Sequence, residues 1–297
     1  MFLFDEKKKF FKGNLHTHTT NSDGRRSPEE VYAIYKAQGY DFLAITDHWK
    51  RTVDRASYYE GMLLLPGIEL DYNLLGQVVH VVGIGVNESI LTSAVRGQPL
   101  RKGLNSIALS GGVAILAHPA WSLNTADTIA QIAPQVVAAE IYNSVSSYPW
   151  NGDRADSTCV LDVAASQGTI INTVASDDSH FYEGEQCRAF ICLQADSLTE
   201  KDVIQALASG AFYASQGPRV HQVEITPDGV EIECDPVSAI LFHSDMVYAH
   251  GRCVSGDGLT HASYTFHRDA LERFVRIILI DEMNRRAWIN PIDLSKI

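Results

Sequence analysis

No two of the five cysteines, Cys159, Cys187, Cys192, Cys234 and Cys253, stand in C-x-x-C spacing, and their number is odd. That excludes a zinc knuckle of this type and a fully paired disulfide framework, and it favours a reducing compartment. Long apolar runs are also missing. None approaches the roughly 20 residues needed to cross a bilayer, and the opening MFLFDEKKKFFKG has only four apolar residues before its charges begin, too few for a signal-peptide core. These two absences predict a cytoplasmic protein that does not engage a membrane. Cations are in short supply: Lys and Arg total 24 against 36 for Asp and Glu, a net charge of -12. Such a field repels nucleic-acid polymers and anionic lipid surfaces, so any anion the protein handles must be attracted locally, as by bound metal. The sequence also lacks a G-x-S-x-G elbow, a P-loop, a G-x-G-x-x-G fingerprint, internal repeats and low-complexity tracts.

What is present is an ordinary globular composition, 45% hydrophobic and 20% charged over 297 residues, enough for one large α/β barrel or two domains. Short apolar runs at 42–46, 63–70, 78–86, 113–117, 136–142 and 170–175 read as strands. Between several of them lie segments with helical spacing. Residues 27–39 carry Ser27 as N-cap, Pro28 at the first helical position, Glu30 three residues after the cap and Gly39 as stop. Residues 100–110, 124–133, 153–167 and 199–209 follow weaker versions, the last between Thr199 and Gly210. Strands alternating with helices predict parallel pairing. After residue 218 the pattern changes to two-residue alternation (VHQVEI, VEIEC, AILFH, ASYTF, FVRIILI, RAWIN), with turns expected at Pro227-Asp228-Gly229 and Gly256-Asp257-Gly258. The expected domains are 1–218 and a β-rich 219–297.

Chemistry concentrates where the strands end. LHTHTTNSDG puts His16 and His18 two apart, on one face of an early strand. Asp47 and His48 close FLAITDH, Glu69 sits in LPGIELD, His80 in VVHVVG and His118 in AHPAW, while Asp178 and His180 follow IINTVAS. Taken singly, each has a plainer reading: His80 as a hydrogen-bonded core histidine, His118 as a turn cap, Glu69 as an arginine's partner. Jointly they fall where a parallel barrel gathers its strand C-termini, and imidazoles with carboxylates suit a divalent transition metal. Asn143, at a strand end, could donate to a substrate oxygen or simply make a turn. Arg154 and Arg188, with Lys50, Arg25 and Arg26, are candidate phosphate clamps whose plainer reading is solvated surface charge.

In this order and spacing, LHTHTTNSDG, LAITDH, GIEL, AHP and SDDSH resemble the motifs of the PHP (polymerase and histidinol phosphatase) metal-dependent phosphoesterases. LASGAFYASQGP (207–218) and RRAWINPI (285–292) resemble the branch with carbaryl-hydrolase-like metallohydrolases, which carry a β-rich tail. The resemblance implies a distorted (β/α)7 TIM-like barrel with a small C-terminal all-β domain. It implies two or three divalent metals (Mn, Fe or Zn): one on His16, His18, Glu69 and Asp178; a second on Glu69, His80 and His118, with Glu69 bridging; a third on Asp23, His48 and His180. Asp23 stands where other members place histidine. Glu69 and Asp178 would carry the catalytic charge, and Asp47 would accept from a ligand imidazole and fix its tautomer. The implied reaction is hydrolysis of a small phosphomonoester or nucleotide by metal-activated water. The alternative is a carbamate, amide or carboxylic ester cleaved by the same cluster. The tail histidines, His221, His243, His250, His261 and His267, share no ligand spacing.

Overall fold

A computed structural model of the chain describes residues 1–4 and 9–297. It is mixed α/β, with one extended sheet and few helices. No described helix is long and apolar enough to cross a membrane.

The site rests on seven strands in succession: β1 (Phe10–Asn14), β2 (Phe42–Ile45), β3 (Met62–Leu74), β4 (Gln77–Ile84), β5 (Val113–Leu116), β6 (Ala138–Asn143) and β7 (Asn172–Ser176). β1, β2 and β3 pair in parallel, as do β5, β6 and β7. β4 departs from the all-parallel expectation, running antiparallel to both β3 and β5. The cause is local: Leu75 and Gly76, both at positive φ, turn the chain back directly after β3, where a parallel return would need a crossover. Beyond the strand ends, Thr17 bridges Ser179 in parallel, so the extensions of β1 and β7 meet.

The longer helices among the described residues are α1 (Pro28–Ala37), α2 (Leu100–Leu109), α3 (Ala126–Ile132), α4 (Thr158–Ser166) and α5 (Glu200–Ser209). Their ends follow the capping residues. Ser27 and Glu30 make both halves of a capping box on α1, and Thr199 caps α5, which stops at left-handed Gly210. Val31 and Tyr35, one turn apart, are the buried face of α1, and the Tyr35 hydroxyl reaches Asp177 at 2.9 Å.

After β7, β8 (Phe190–Gln194) pairs antiparallel with β1, and β9 (Phe212–Ser215) with β8. Four further strands, β10 (Val220–Ile225), β11 (Gly229–Ser244), β12 (Cys253–Thr265) and β13 (Phe274–Ile280), are antiparallel, and β14 (Arg286–Trp288) joins β13 to β9. VEIEC and AILFH, read as two strands, are one strand that carries Pro236 at an irregular pairing. The turn expected at Gly256-Asp257-Gly258 lies inside β12. There Val237 pairs with Leu259 and Ala239 with Ser255, so the extra residues bulge out, with Gly258 at φ 66°.

Arg276 of β13 is 1% exposed and holds α4: its Nε donates to Asp162 at 2.8 Å and a terminal nitrogen to Thr173 at 3.1 Å. Replacing it with Ala strips Asp162 of its main partner, and Arg276→Ala is expected to destabilise the fold by about 3 kcal/mol. Denaturant unfolding measures this, and a loss below about 1 kcal/mol would show that the pair does not hold the helix.

Candidate metal centre

Six imidazoles and three carboxylates converge at one rim of the seven strands. β1 and β7 end where their extensions bridge, which brings His16 and His18 to Asp178 and His180. His48 follows β2 and bridges Glu69 on β3. His80 lies near the start of β4, and because that strand runs backwards, its start shares the rim with the other strands' ends. This explains why His80 reads from sequence as an interior residue.

Glu69 is the centre, 1% exposed. Its Oε2 lies 3.2, 3.1 and 3.1 Å from nitrogens of His16, His18 and His48; its Oε1 lies 2.7 Å from His80 Nδ1 and 3.4 Å from His118 Nε2. Asp178 Oδ1 stands 3.1 and 3.0 Å from Nε2 of His16 and His18. Asp23, more than half exposed, faces His18, His48 and His180 at 3.5–3.6 Å. Within 4.8 Å the donors fall into three sets: His16, His18, Glu69 and Asp178; Glu69, His80 and His118; and His18, Asp23, His48 and His180.

Two features fit cations here. Glu69 Oε2 and Asp178 Oδ1 are buried with no hydrogen-bond partner, which is costly unless something else satisfies them. The Nε2 atoms of His16 and His18 also point at each other, 3.2 Å apart. Oxygen and nitrogen donors around a tetrahedral ion at about 2.1 Å stand about 3.4 Å from one another, close to the spacings seen. Backbone strain marks the same place, since His118 (φ 27°) and Asp178 (φ 52°) are both left-handed without being glycine.

The electrostatics agree. Burial pushes Glu69 up and the imidazoles, His16 foremost, more than reverse it, holding the carboxylate well below its ordinary range; Asp178 is held low in the same way. Burial opposes charge on His18, but Asp178 and Glu69 raise it to about 9, and His16 and His80 are also raised. Burial lowers His48.

Four of the six rings are fixed from behind. His16 Nδ1 meets Glu140 at 2.7 Å, His18 Nδ1 meets Ser22 Oγ at 3.3 Å, His118 Nδ1 meets Ser122 Oγ at 3.0 Å and His180 Nδ1 meets the Asp178 carbonyl at 2.7 Å. These contacts leave Nε2 of those four rings facing inward, whereas His48 and His80 present Nδ1 to Glu69.

Glu140, 1% exposed, is the residue sequence reasoning missed. Besides His16 it accepts from the His118 amide (2.8 Å), Asn143 (2.8 Å) and Ser176. The available signal was an acid inside the apolar run VVAAEIY. Glu140→Gln is expected to weaken metal affinity by about 10–100-fold. Metal titration of the variant checks this, and an affinity within twofold of the parent would remove Glu140 from the support of the site.

The other named residues sit differently. Asp47 touches no imidazole. Its oxygens accept from the Thr19 amide and hydroxyl (both 2.7 Å), Ser22 (2.6 Å) and Thr52, so it pins the loop that carries Ser22 against His18. Asn143 is fully buried and spends its amide on Glu140 and Asp178 (3.2 Å). Arg154 and Arg188 are exposed, and neither lines the cleft above the cluster; Arg188 lies over the Trp150 ring at 5.2 Å. Lys50 donates to the Asn21 carbonyl, Arg25 pairs with Glu183 at 2.9 Å and Arg26 with Glu30 at 3.6 Å. Asp177 accepts the amides of Cys187, Arg188 and Ala189, and burial lifts it to about 6. Sequence reading also passed over Trp121 and Phe181, which wall a cleft of about 230 Å³.

No family model matches the chain. Over 82 residues it is 35% identical to a 5'-3' exoribonuclease of Haemophilus influenzae, covering 26% of this chain and 30% of that protein. Over 94 residues it is 30% identical to a 3',5'-nucleoside bisphosphate phosphatase of Chromobacterium violaceum, covering 30% and 33%. The chain thus spans about a third of the length of these curated relatives. Among solved structures, a two-domain protein of Bacteroides vulgatus containing a predicted PHP-like metal-dependent phosphoesterase matches with a TM-score of 0.55, over 94% of this chain and 92% of that one, at 13% identity. That likeness is one of fold.

Proposed function

We propose, from the premise that this chain is PHP-like in fold, that it is a metal-dependent phosphoesterase hydrolysing a small phosphomonoester or nucleotide in the cytoplasm. The carrying observation is Glu69, whose two oxygens face two different donor sets. In this reading His16, His18, Glu69 and Asp178 hold one cation, Glu69, His80 and His118 a second, and Asp23, His48 and His180 a third. Mixed nitrogen and oxygen donors favour Mn, Fe or Zn. The seven strands form a distorted (β/α)7 barrel, and residues 219–297 a β-rich unit supplying no ligand.

Bound there, such ions supply Lewis acidity and a nucleophilic water at neutral pH. The chain's own residues prepare for this. Glu69 holds its two oxygens apart between facing imidazoles, while Glu140, Ser22 and Ser122 keep the rings of His16, His18 and His118 in the inward-facing tautomer. Asp47 holds Ser22 in place, and Asn143 steadies Glu140 and Asp178 together. Three carboxylates, Asp23, Glu69 and Asp178, cannot neutralise two or three divalent ions, so residual positive charge would draw a phosphate dianion into an otherwise acidic protein.

One observation favours the alternative, a carbamate, amide or carboxylic ester: among the described residues no Lys or Arg lines the cleft. Phosphate, carbamate and carboxylate esters assayed side by side on protein loaded with Mn, Fe or Zn decide between them. A phosphoester should show the highest kcat/KM, and an acyl ester well above every phosphoester would transfer the assignment.

A further inference from the structure

The cleft over the cluster is walled, beyond the clustered donors, by Trp121, Val145, Ser146, Asn151 and Phe181. Its lining charge is that of Asp23, Glu69 and Asp178. Arg25 stacks on the cleft wall Phe181 at 4.7 Å and is engaged by Glu183. Away from the donors that would hold the cations and the scissile phosphate, a second phosphate would meet apolar and neutral walls, and among the described residues no Lys or Arg lines the cleft to receive it. The two aromatic walls also differ. Phe181 stands by His180, with ring centres 6.4 Å apart, and is covered by Arg25. Trp121 packs edge-on against His118 and His80 at 5.0 and 6.2 Å, beside the Glu69, His80 and His118 set, and among the described residues no cation is stacked on it. At about 230 Å³ the cleft is below the usual 300–1,000 Å³ of ligand pockets.

We propose that this cleft selects esters with one anionic group and a flat, uncharged leaving group lying against Trp121, which makes an aryl phosphomonoester the substrate class and excludes bisphosphates. The inference rests on the hydrolase reading only for where the scissile bond sits. Trp121 supplies a rigid apolar ring at the end of the cluster, and such ring contacts favour flat partners over flexible polyols. Selection against a second phosphate follows from the desolvation of an unpaired charge.

The test separates this from the reaction itself by using phosphonates, which bind without being hydrolysed. On metal-loaded protein, calorimetry with phenylphosphonate and methylphosphonate should show the phenyl compound binding at least about tenfold tighter. Trp121→Leu should erase most of that preference and Trp121→Phe restore much of it, with metal content measured on both variants so that loss of metal is recognised. In turnover, phenyl phosphate should exceed both glycerol phosphate and a nucleoside 3',5'-bisphosphate in kcat/KM. Equal binding of the two phosphonates, or a bisphosphate preferred over phenyl phosphate, would overturn the inference while leaving the phosphoesterase reading standing. A phenyl preference with no phosphoester cleaved would leave the cleft selective for a flat anionic ligand, and would overturn both that reading and aryl phosphomonoesters as the substrate class.

Discussion

Glu69→Gln is expected to lower kcat/KM by about a thousandfold and to release metal at the same time. The amide keeps the shape of the side chain but removes the one charge that faces both inner donor sets. It also turns a donor nitrogen toward either His80 and His118 or His16, His18 and His48. Neither placement suits a cation. Asp23→Asn should do much less, about tenfold or under, because Asp23 is more than half exposed and water can replace it. Elemental analysis and kinetics on the two variants are the check. Glu69→Gln retaining near-parental metal and rate would mean that its oxygens do not join two sites.

Removing the metal is expected to reduce hydrolysis to under about 1% of the loaded protein and to lower the melting temperature, both restored by Mn, Fe or Zn. The pH dependence can be worked out. Without metal, protons take the cations' place: His18 titrates at about 9, and His16 and His80 are raised too. Loading at pH 7 must expel protons, so affinity falls as pH falls, and proton release shows in calorimetry as a heat that scales with the buffer's ionisation enthalpy. For the metal-free fold, the raised histidines stabilise fully below their ordinary 6.5, and that contribution is lost as pH rises through about 9. The depressed Glu69 and Asp178 stabilise above their ordinary 4.5 and 3.8 and lose that contribution only in acid. The cluster's contribution should therefore be greatest between about 4.5 and 6.5. Metal that binds equally well at pH 5 and pH 8, or full activity after exhaustive chelation, would contradict the cluster.

Much of this site was legible because its donors come in short spacings with a geometric meaning. H-x-H places two side chains on one face of an extended segment, and the structure brings His16 and His18 together, with Asp178, although left-handed, and His180 nearby. The capping box of α1 was legible for a similar reason, since its partners are only three residues apart. What escaped depends on contacts that spacing does not encode. Glu140 is a lone acid whose four partners come from three other segments and its own strand end. Asp47 could be placed at the rim, but only the folded loop shows that it grips Thr19 and Ser22. Arg154 and Arg188 could not be sorted from other surface arginines, because side-chain direction on a loop is set by tertiary context. The reversal of β4 was hidden because a strand's apolar run reads alike in both directions.

That reversal also gives the site an order in time. Glu69 and His80 are 11 residues apart on a hairpin, the kind of unit that forms in about 1–10 μs. Bringing His16 to Asp178 closes a loop roughly fifteen times longer, which costs about 2.4 kcal/mol more. Two of the six inner donors, Glu69 and His80, can thus come together before the distant segments meet. A cation bound there would be held during folding, before His16, His18 and His180 arrive from distant segments to enclose it.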